Sequence, residues 1–338
     1  MKKTVLLTGG AGYIGSHTAY LLHRLGYEVI ILDALLHNQS FTHSWAKLIK
    51  ADVSDRQVLA SIFKTNCIHA VMHFAGFIEV GESVKRPADF YRNNVTHSLT
   101  LLDVMREYEV SKFIFSSSCA VYGNPITVPM AEDHPFAPVS PYAKTKLAVE
   151  YALQDYAQAY GLRYAALRYF NAAGASPEQD LGECHQPETH VIPLLLRAIQ
   201  NNKLFTVYGN DYNTPDGTCV RDYIHVQDIA QAHVLALEYL DAGNLSDVFN
   251  LGTGTGYSVL QLVDVASKIC GKAPELVMQP RRAGDSSVLV ANPHKAHTML
   301  HWVPEHSSLE NIIATAWQWE MKKETKKRSY ENLTTTGF

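Results

Sequence analysis

Tyr142 and Lys146 stand four residues apart just after Ser140-Pro141, and a serine-rich segment ending in Ser118 precedes them. Serine as N-cap and proline in the first turn predict a helix that begins at Pro141. That helix carries Tyr142 in its first turn and Lys146 one turn on, along the same face. A phenol with an ordinary pKa of about 10 is a poor base at neutral pH. A nearby ammonium, a helix N-terminus and a cationic hydride acceptor each favour the phenolate. So tuned, Tyr142 can take the proton of an alcohol while hydride leaves the same carbon, with Ser118 holding that hydroxyl in line. A surface helix pair has the same spacing, so the surrounding sequence must decide.

Upstream lies Gly9-Gly10-Ala11-Gly12-Tyr13-Ile14-Gly15-Ser16-His17, between an apolar run (Thr4 to Thr8) and an apolar-periodic segment (Tyr13 to Leu25) that stops before Gly26. The run reads as a buried parallel strand and the segment as a helix with a glycine C-cap. Gly10, Gly12 and Gly15 fit the G-x-G-x-x-G pattern, in which the backbone turns tightly and approaches a pyrophosphate at a helix N-terminus. A second strand, Glu28 to Leu32, ends in Asp33, about 20 residues beyond the glycines, where a carboxylate binds ribose hydroxyls and repels a 2′-phosphate. No arginine follows among Ala34, Leu35, Leu36 and His37, so NAD is expected rather than NADP. Asp52 follows a third strand at Leu48-Ile49; it reads either as an adenine-edge contact or as the N-cap of the next helix.

Strand and helix signals continue to alternate. Strands are expected at Val71–Phe74, Lys112–Phe115 and Ala165–Tyr169, and helices at Arg92–Tyr108 and Tyr142–Tyr160. Gly9, Asp33, Ala75, Ser118 and Asn171 all fall at strand C-terminal ends, where open α/β sheets bind ligands. The fold class is therefore α/β: a doubly wound parallel-sheet Rossmann fold with a smaller C-terminal substrate-binding lobe. The nucleotide-binding unit is expected over residues 1–170, joined by returning segments near 220–255, among them a strand at Val248–Gly252. The substrate lobe is expected over 171–320, and a polar, partly disordered tail over 321–338. The 338 residues are 46% hydrophobic and 18% charged, an ordinary globular composition, and the net charge of −4 offers no attraction to nucleic acid or anionic membrane. Five cysteines without C-x-x-C spacing and sixteen histidines without ligand spacing predict free thiols and no metal. The apolar run after Met1-Lys2-Lys3 is too short for a signal peptide and no stretch is long enough to span a membrane, so a cytoplasmic protein is expected.

With these residues in place the chain resembles the extended short-chain dehydrogenase/reductases and, among them, the UDP-hexose 4-epimerases. The resemblance runs from about Thr4 to Trp319. It rests on Gly9–His17, Val80-Gly81-Glu82-Ser83-Val84, Asn93-Asn94-Val95, Ser116–Gly123, Pro141–Lys146, Arg168–Gly174, Tyr208–Tyr212, Val220–Val226 and Arg281–Asp285. It implies an NAD-dependent inversion at C4 of UDP-glucose or UDP-galactose through a transient 4-ketose, with Ser118, Tyr142 and Lys146 catalytic. It places Gly9, Gly12, Tyr13, Ile14, Gly15, Asp33, Asp52, Val53, Phe74, Ala75, Gly76, Asn94, Tyr142, Lys146 and Tyr169 on the cofactor. It places Ser118, Tyr142, Asn171, His190, Val191, Tyr208, Arg221, Arg282, Asp285 and Leu289 on the UDP-sugar. Arg221 and Arg282 would clamp the diphosphate through their planar forks, unless they serve as ion pairs with Asp222 or Asp285. A homodimer joined through two long helices per subunit is also implied.

Three departures are visible. Ile78 stands where many members have a lysine, the segment Ala34–Lys50 is short, and Leu289 settles neither acceptance nor exclusion of a 2-acetamido group. UDP-N-acetylhexosamine and UDP-pentose 4-epimerases share these motifs. A 4,6-dehydratase needs acidic residues after the strand-end serine, where this chain has Cys119-Ala120. A non-catalytic NAD sensor has no use for Ser118, Tyr142 and Lys146 together.

Overall fold

Val5, Leu6 and Leu7 are wholly buried, which a central strand covered on both faces requires. In a computed structural model describing residues 2–36, 43–282 and 285–335 (backbone alone beyond 325), that strand is β1 (Thr4–Thr8). The others are β2 (Glu28–Asp33), β3 (Lys47–Lys50), β4 (Ile68–His73), β5 (Lys112–Ser118), β6 (Arg163–Tyr169), β7 (Asn171–Ala173), β8 (Leu204–Tyr208), β9 (Val220–His225), β10 (Asp247–Leu251), β11 (Gly256–Ser258), β12 (Glu275–Gln279) and β13 (Val288–Leu289). Helices α1 (Tyr13–Arg24), α2 (Arg56–Thr65), α3 (Val80–Lys85), α4 (Pro87–Tyr91), α5 (His97–Glu107) and α6 (Pro141–Tyr160) alternate with the early strands. Then come α7 (Val191–Gln200), α8 (Val226–Asp241), α9 (Val259–Cys270), α10 (His294–Met299) and α11 (Leu309–Thr335).

Seven strands form one parallel sheet in the order β10-β6-β5-β4-β1-β2-β3. The chain leaves β1 toward β2 and β3, then crosses back to β4, so the strand order reverses between β1 and β4. A crevice opens at that switch point, beyond the strand ends. Successive residues of each strand serve opposite faces. Val5, Leu7, Ile31 and Met72 pack with Ala19 and Leu22 of α1 and Leu237 and Leu240 of α8. Leu6, Ile30, Val71 and Phe113 pack with Leu59 and Phe63 of α2, Leu101 and Met105 of α5, and Val149 and Leu153 of α6. A separate cluster joins α7, α9 and α11 through Leu195, Ile199, Leu262, Ile312 and Ile313. Beside it stand β8 paired with β12, and β9 flanked by β7, β11 and β13.

Two expectations change. The long helix from Arg92 opens with a π turn over Arg92–Thr96 before α5 begins. The segment read as a polar tail continues α11 to Thr335; residues 336–338 lie outside the described set. Trp319 is buried just before it, and Lys322 and Lys323 donate to the carbonyls of Pro177 and Glu183, so the helix is anchored where the charge run begins.

At the N-terminal ends of β1, β4 and β5, Asp241 accepts from Lys3 (2.6 Å), His69 (2.8 Å) and Lys112. Burial alone would raise its carboxyl, but the bonds from Lys112, Lys3 and His69 hold it well below the usual range. A depressed carboxylate stabilises the fold above its unfolded pKa, and that contribution is lost as pH falls through the acid range. Asp241→Asn is therefore expected to lower unfolding free energy at pH 7 by about 1.5–3 kcal/mol. In urea denaturation the gap from the parent narrows below roughly pH 4.

Candidate active site

The glycine turn divides its labour. Gly9 adopts φ +72°, and a Cβ there would lie 2.4 Å from the Ala75 backbone nitrogen. A Cβ on Gly15 would lie 2.5 Å from the Gly9 carbonyl oxygen, so these two glycines let β1, β4 and α1 close together. Gly12 differs: the nearest atom to a Cβ there is the Gly9 carbonyl oxygen at 3.3 Å, and its open side faces a cleft of about 140 Å³. No side chain caps α1 and no acidic residue occupies its first turn. Its first-turn N–H groups and dipole thus face the cleft as an anion site, which fits the pyrophosphate of a dinucleotide.

Asp33 lies in the cleft wall, its two oxygens accepting from Ala11 N (3.0 Å) and Leu35 N (2.8 Å). Val53, Phe74, Ala75 and Gly76 form the facing wall. Asp52 also lines the cleft, 3.4 Å from His97. The capping alternative fails for Asp52, because Asp55 caps α2 by accepting from Gln57 and Val58. Phe77, Leu36 and His97 also line it and were not singled out by the sequence pattern. His37 lies outside the described residues.

Three of the residues expected on the cofactor also brace the scaffold around the cleft. The Tyr13 hydroxyl donates to the Gly174 carbonyl (2.6 Å), so this side chain anchors the glycine turn to the segment after β7. Ile14 packs into the core. The Tyr169 hydroxyl is bonded to His233 Nε2 (2.6 Å) in the interior. Asn94, on the π turn, holds the N–H and C=O of Phe77 (2.8 and 3.0 Å) and donates to Thr145 (3.1 Å). It thereby fixes the turn at Gly76 against the catalytic helix.

The chemistry-bearing groups meet beside that turn. Ser118 ends β5 and caps the short turn Cys119–Tyr122, and Ser140 caps α6 as expected. Ser118 lies near the Tyr142 phenol, where its hydroxyl favours the ionised form. Lys146 Nζ donates to the Ser116 carbonyl (2.9 Å) and stands 5.9 Å from the Tyr142 ring centroid. A Cβ on Gly76 would be 3.5 Å from Nζ, so the ammonium borders the cleft wall. Burial pushes the Tyr142 phenol up to about 12, opposed by Ser118. Burial pushes Lys146 down to about 8, opposed by Glu150. In the protein alone, burial thus opposes the phenolate form of Tyr142. Desolvation wins because Lys146 spends its short bond on Ser116, and an added cation near the ring must reverse the shift.

On the substrate side Asn171 donates to the Asp222 carbonyl (2.8 Å). Arg221 donates to the Ser286 carbonyl (2.8 Å) and lies 3.5 Å from Asp285. Arg282 lies 3.1 Å from the same carboxylate and 4.9 Å above the Tyr208 ring. Two guanidiniums share one acid, leaving a local excess of positive charge. Asp222 is not their partner: it is buried, accepting from Thr253, Gly254 and Ala291. Leu289 sits opposite Arg221 in the β13–β9 pair. Arg221 acts electrostatically on Cys119, one residue past Ser118, so this group adjoins the catalytic one. His190 bonds to Glu188 (2.9 Å), and Val191 begins α7. Ala283 and Gly284 lie outside the described residues. Among the described residues no group of three or more His, Cys, Asp or Glu could hold a metal.

Residues 5–252 match the model of the NAD dependent epimerase/dehydratase family. The chain belongs to that family. The match spans the glycine turn, Ser118, Tyr142, Lys146 and Arg221. A UDP-glucose 4-epimerase of Rhizobium meliloti is 48% identical over 94% of this chain and 97% of its own. The Brucella ovis UDP-glucose 4-epimerase solved in complex with NAD superposes with a TM-score of 0.90 at 46% identity, covering 93% of this chain and 97% of that one. The Bifidobacterium longum UDP-glucose 4-epimerase in complex with NAD+ and UDP gives 0.87 at 38%, covering 95% and 98%. The doubly wound fold read from the sequence is thus the fold of these relatives.

Proposed function

We propose that the chain interconverts UDP-glucose and UDP-galactose by inverting C4, with NAD held in the β1/β4 cleft. The observation that carries this reading is the Ser118–Tyr142–Lys146 group on the wall of a cleft built for a dinucleotide. NAD supplies the hydride acceptor and donor and, as a cation, the charge that brings the Tyr142 phenol down. Tyr142 takes the C4 hydroxyl proton while Ser118 keeps that hydroxyl in line. Arg221 and Arg282 hold the diphosphate with planar forks. The 4-ketose, trigonal at C4, turns about that fixed diphosphate and offers its other face. Tyr142 then returns the proton, and the opposite epimer leaves. Lys146 keeps a positive charge beside the phenolate throughout.

Elimination of water, the 4,6-dehydratase alternative, finds no group here. Cys119 follows Ser118, and burial pushes its thiol up to about 12, while Ala120 has no acid. Incubation with UDP-galactose and no added cofactor is expected to yield UDP-glucose, followed by NMR. No product with NAD supplied would refute the substrate assignment.

The reading extends to a cytoplasmic homodimer. No helix among the described residues is long and apolar enough to cross a membrane, and none of the five cysteines is in a disulfide. Val84, Tyr91, Tyr151 and Tyr160 are exposed on and around the α4–α5 and α6 helices. Pairing of these helices across a two-fold axis would cover such residues. Light scattering at micromolar concentration is expected to give twice the chain mass; the mass of one chain excludes the dimer.

A further inference from the structure

One ion pair spans from the cofactor-side turn to a loop of the substrate lobe. The turn after β4 brings Gly76 and Phe77 into the cleft wall, and Asn94 ties it to Thr145 beside Lys146. Two residues on, Glu79 Oε1 lies 2.9 Å from His185 Nε2, in the loop that leads through His190 into α7. His185 Nδ1 lies 2.9 Å from the Pro187 carbonyl. A carboxylate and a carbonyl are both acceptors, so the ring satisfies both only as the imidazolium, donating from each nitrogen. The loop braces itself as well: Glu183 accepts from His185 N (2.8 Å), and Glu188 accepts from His190 N (2.9 Å). Both glutamates act electrostatically on Tyr13 of the glycine turn. The loop thus lies within electrostatic reach of the glycine turn and is bonded to the Gly76–Glu79 turn.

We infer that Glu79 and His185 form a positioning latch that holds the His190–Val191 loop in the geometry that binds the nucleotide sugar, and that the latch releases when His185 loses its proton. This rests on the proposed UDP-hexose reading of the same cleft. The groups facing His185 are Glu79 from the nucleotide side and Glu183 and His190 from its own loop. Tyr13 lies behind the two loop glutamates, and Lys323 and Glu320 of α11 lie beside the adjacent Cys184. The Glu79 bond raises His185, and the His185 bond lowers Glu79 to about 2. A raised imidazole contributes fully below its unfolded pKa and loses its contribution as pH rises through the folded one. Release therefore comes as pH rises above the ordinary imidazole range.

The test is steady-state turnover of UDP-galactose from roughly pH 6 to 9. The parent KM is expected to rise about three- to ten-fold across the His185 ionisation. Glu79→Gln is expected to show the raised KM at every pH with kcat unchanged, and Glu79→Asp to restore the slope. Glu79→Gln combined with His185→Gln should raise KM no further than either alone, because both remove one interaction. A flat KM profile in the active parent, or the parent slope persisting in Glu79→Gln, overturns the latch and leaves the epimerase reading intact. No turnover by the parent overturns both.

Discussion

Tyr142→Phe is expected to lower kcat by about 10²- to 10⁴-fold, the span of a lost general base, while NAD stays bound. The substitution removes one oxygen and keeps the ring, and the dinucleotide cradle at Gly9, Gly12 and Asp33 is built from other elements. The measurement pairs the rate of UDP-galactose conversion with the NAD released when the variant is denatured. Near-parental turnover would remove Tyr142 from the base role, and loss of NAD would show that the phenol serves binding. The same residue gives a pH expectation. Burial pushes its phenol up to about 12 in the protein alone, so activity at neutral pH is expected to need the positive charge that the oxidised cofactor brings. Binding of NAD, not of NADH, is expected to lower the phenol's ionisation, readable as a tyrosinate absorbance that is lost in Tyr142→Phe.

The largest expected effect on stability lies behind the site. Glu150 and Arg168 are almost wholly buried and paired twice, Nη2 to Oε2 at 2.6 Å and Nε to Oε1 at 3.0 Å. Ser117 also donates to Glu150, and Arg168 donates to the Tyr122 hydroxyl (2.8 Å). The network therefore joins α6, which carries Tyr142 and Lys146, to β5 and the turn after Ser118. Arg168→Met leaves a buried carboxylate without its partner and is expected to cost about 3–5 kcal/mol in urea or thermal unfolding. Replacing both members with methionine should cost less than the sum of the single changes, since an apolar pair has no charge to desolvate. Additive losses would show that the two groups are not coupled.

What the sequence made legible was local. The strand, glycine turn and helix at Thr4–Arg24 are encoded by neighbours in the chain, and so is the Ser140-capped helix that spaces Tyr142 from Lys146. Strand ends could be placed because an apolar run stops where a parallel strand does. Contacts between distant segments left no such trace. The Tyr13 hydroxyl reaches Gly174 across 161 positions, a contact that no spacing announces. Asn94 carries its weight through a π turn, which no periodicity announces. Ion pairing of Arg221 and Arg282 was foreseen as an alternative; that both share Asp285 depends on how the chain segments around β9 and β13 meet. The charge run after Lys322 looked solvated, yet Trp319 and the lysine stems give that helix an apolar and hydrogen-bonded start. Spacing reveals an ammonium near Tyr142 but not the burial that raises its phenol in the protein alone.

The central claim is that C4 is oxidised and reduced again at the same carbon within one site. UDP-galactose carrying deuterium at C4, turned over in ordinary water and followed by NMR, tests this most directly. Deuterium retained at C4 of the UDP-glucose formed is the predicted result. Label lost to solvent, or found at C6, would contradict it.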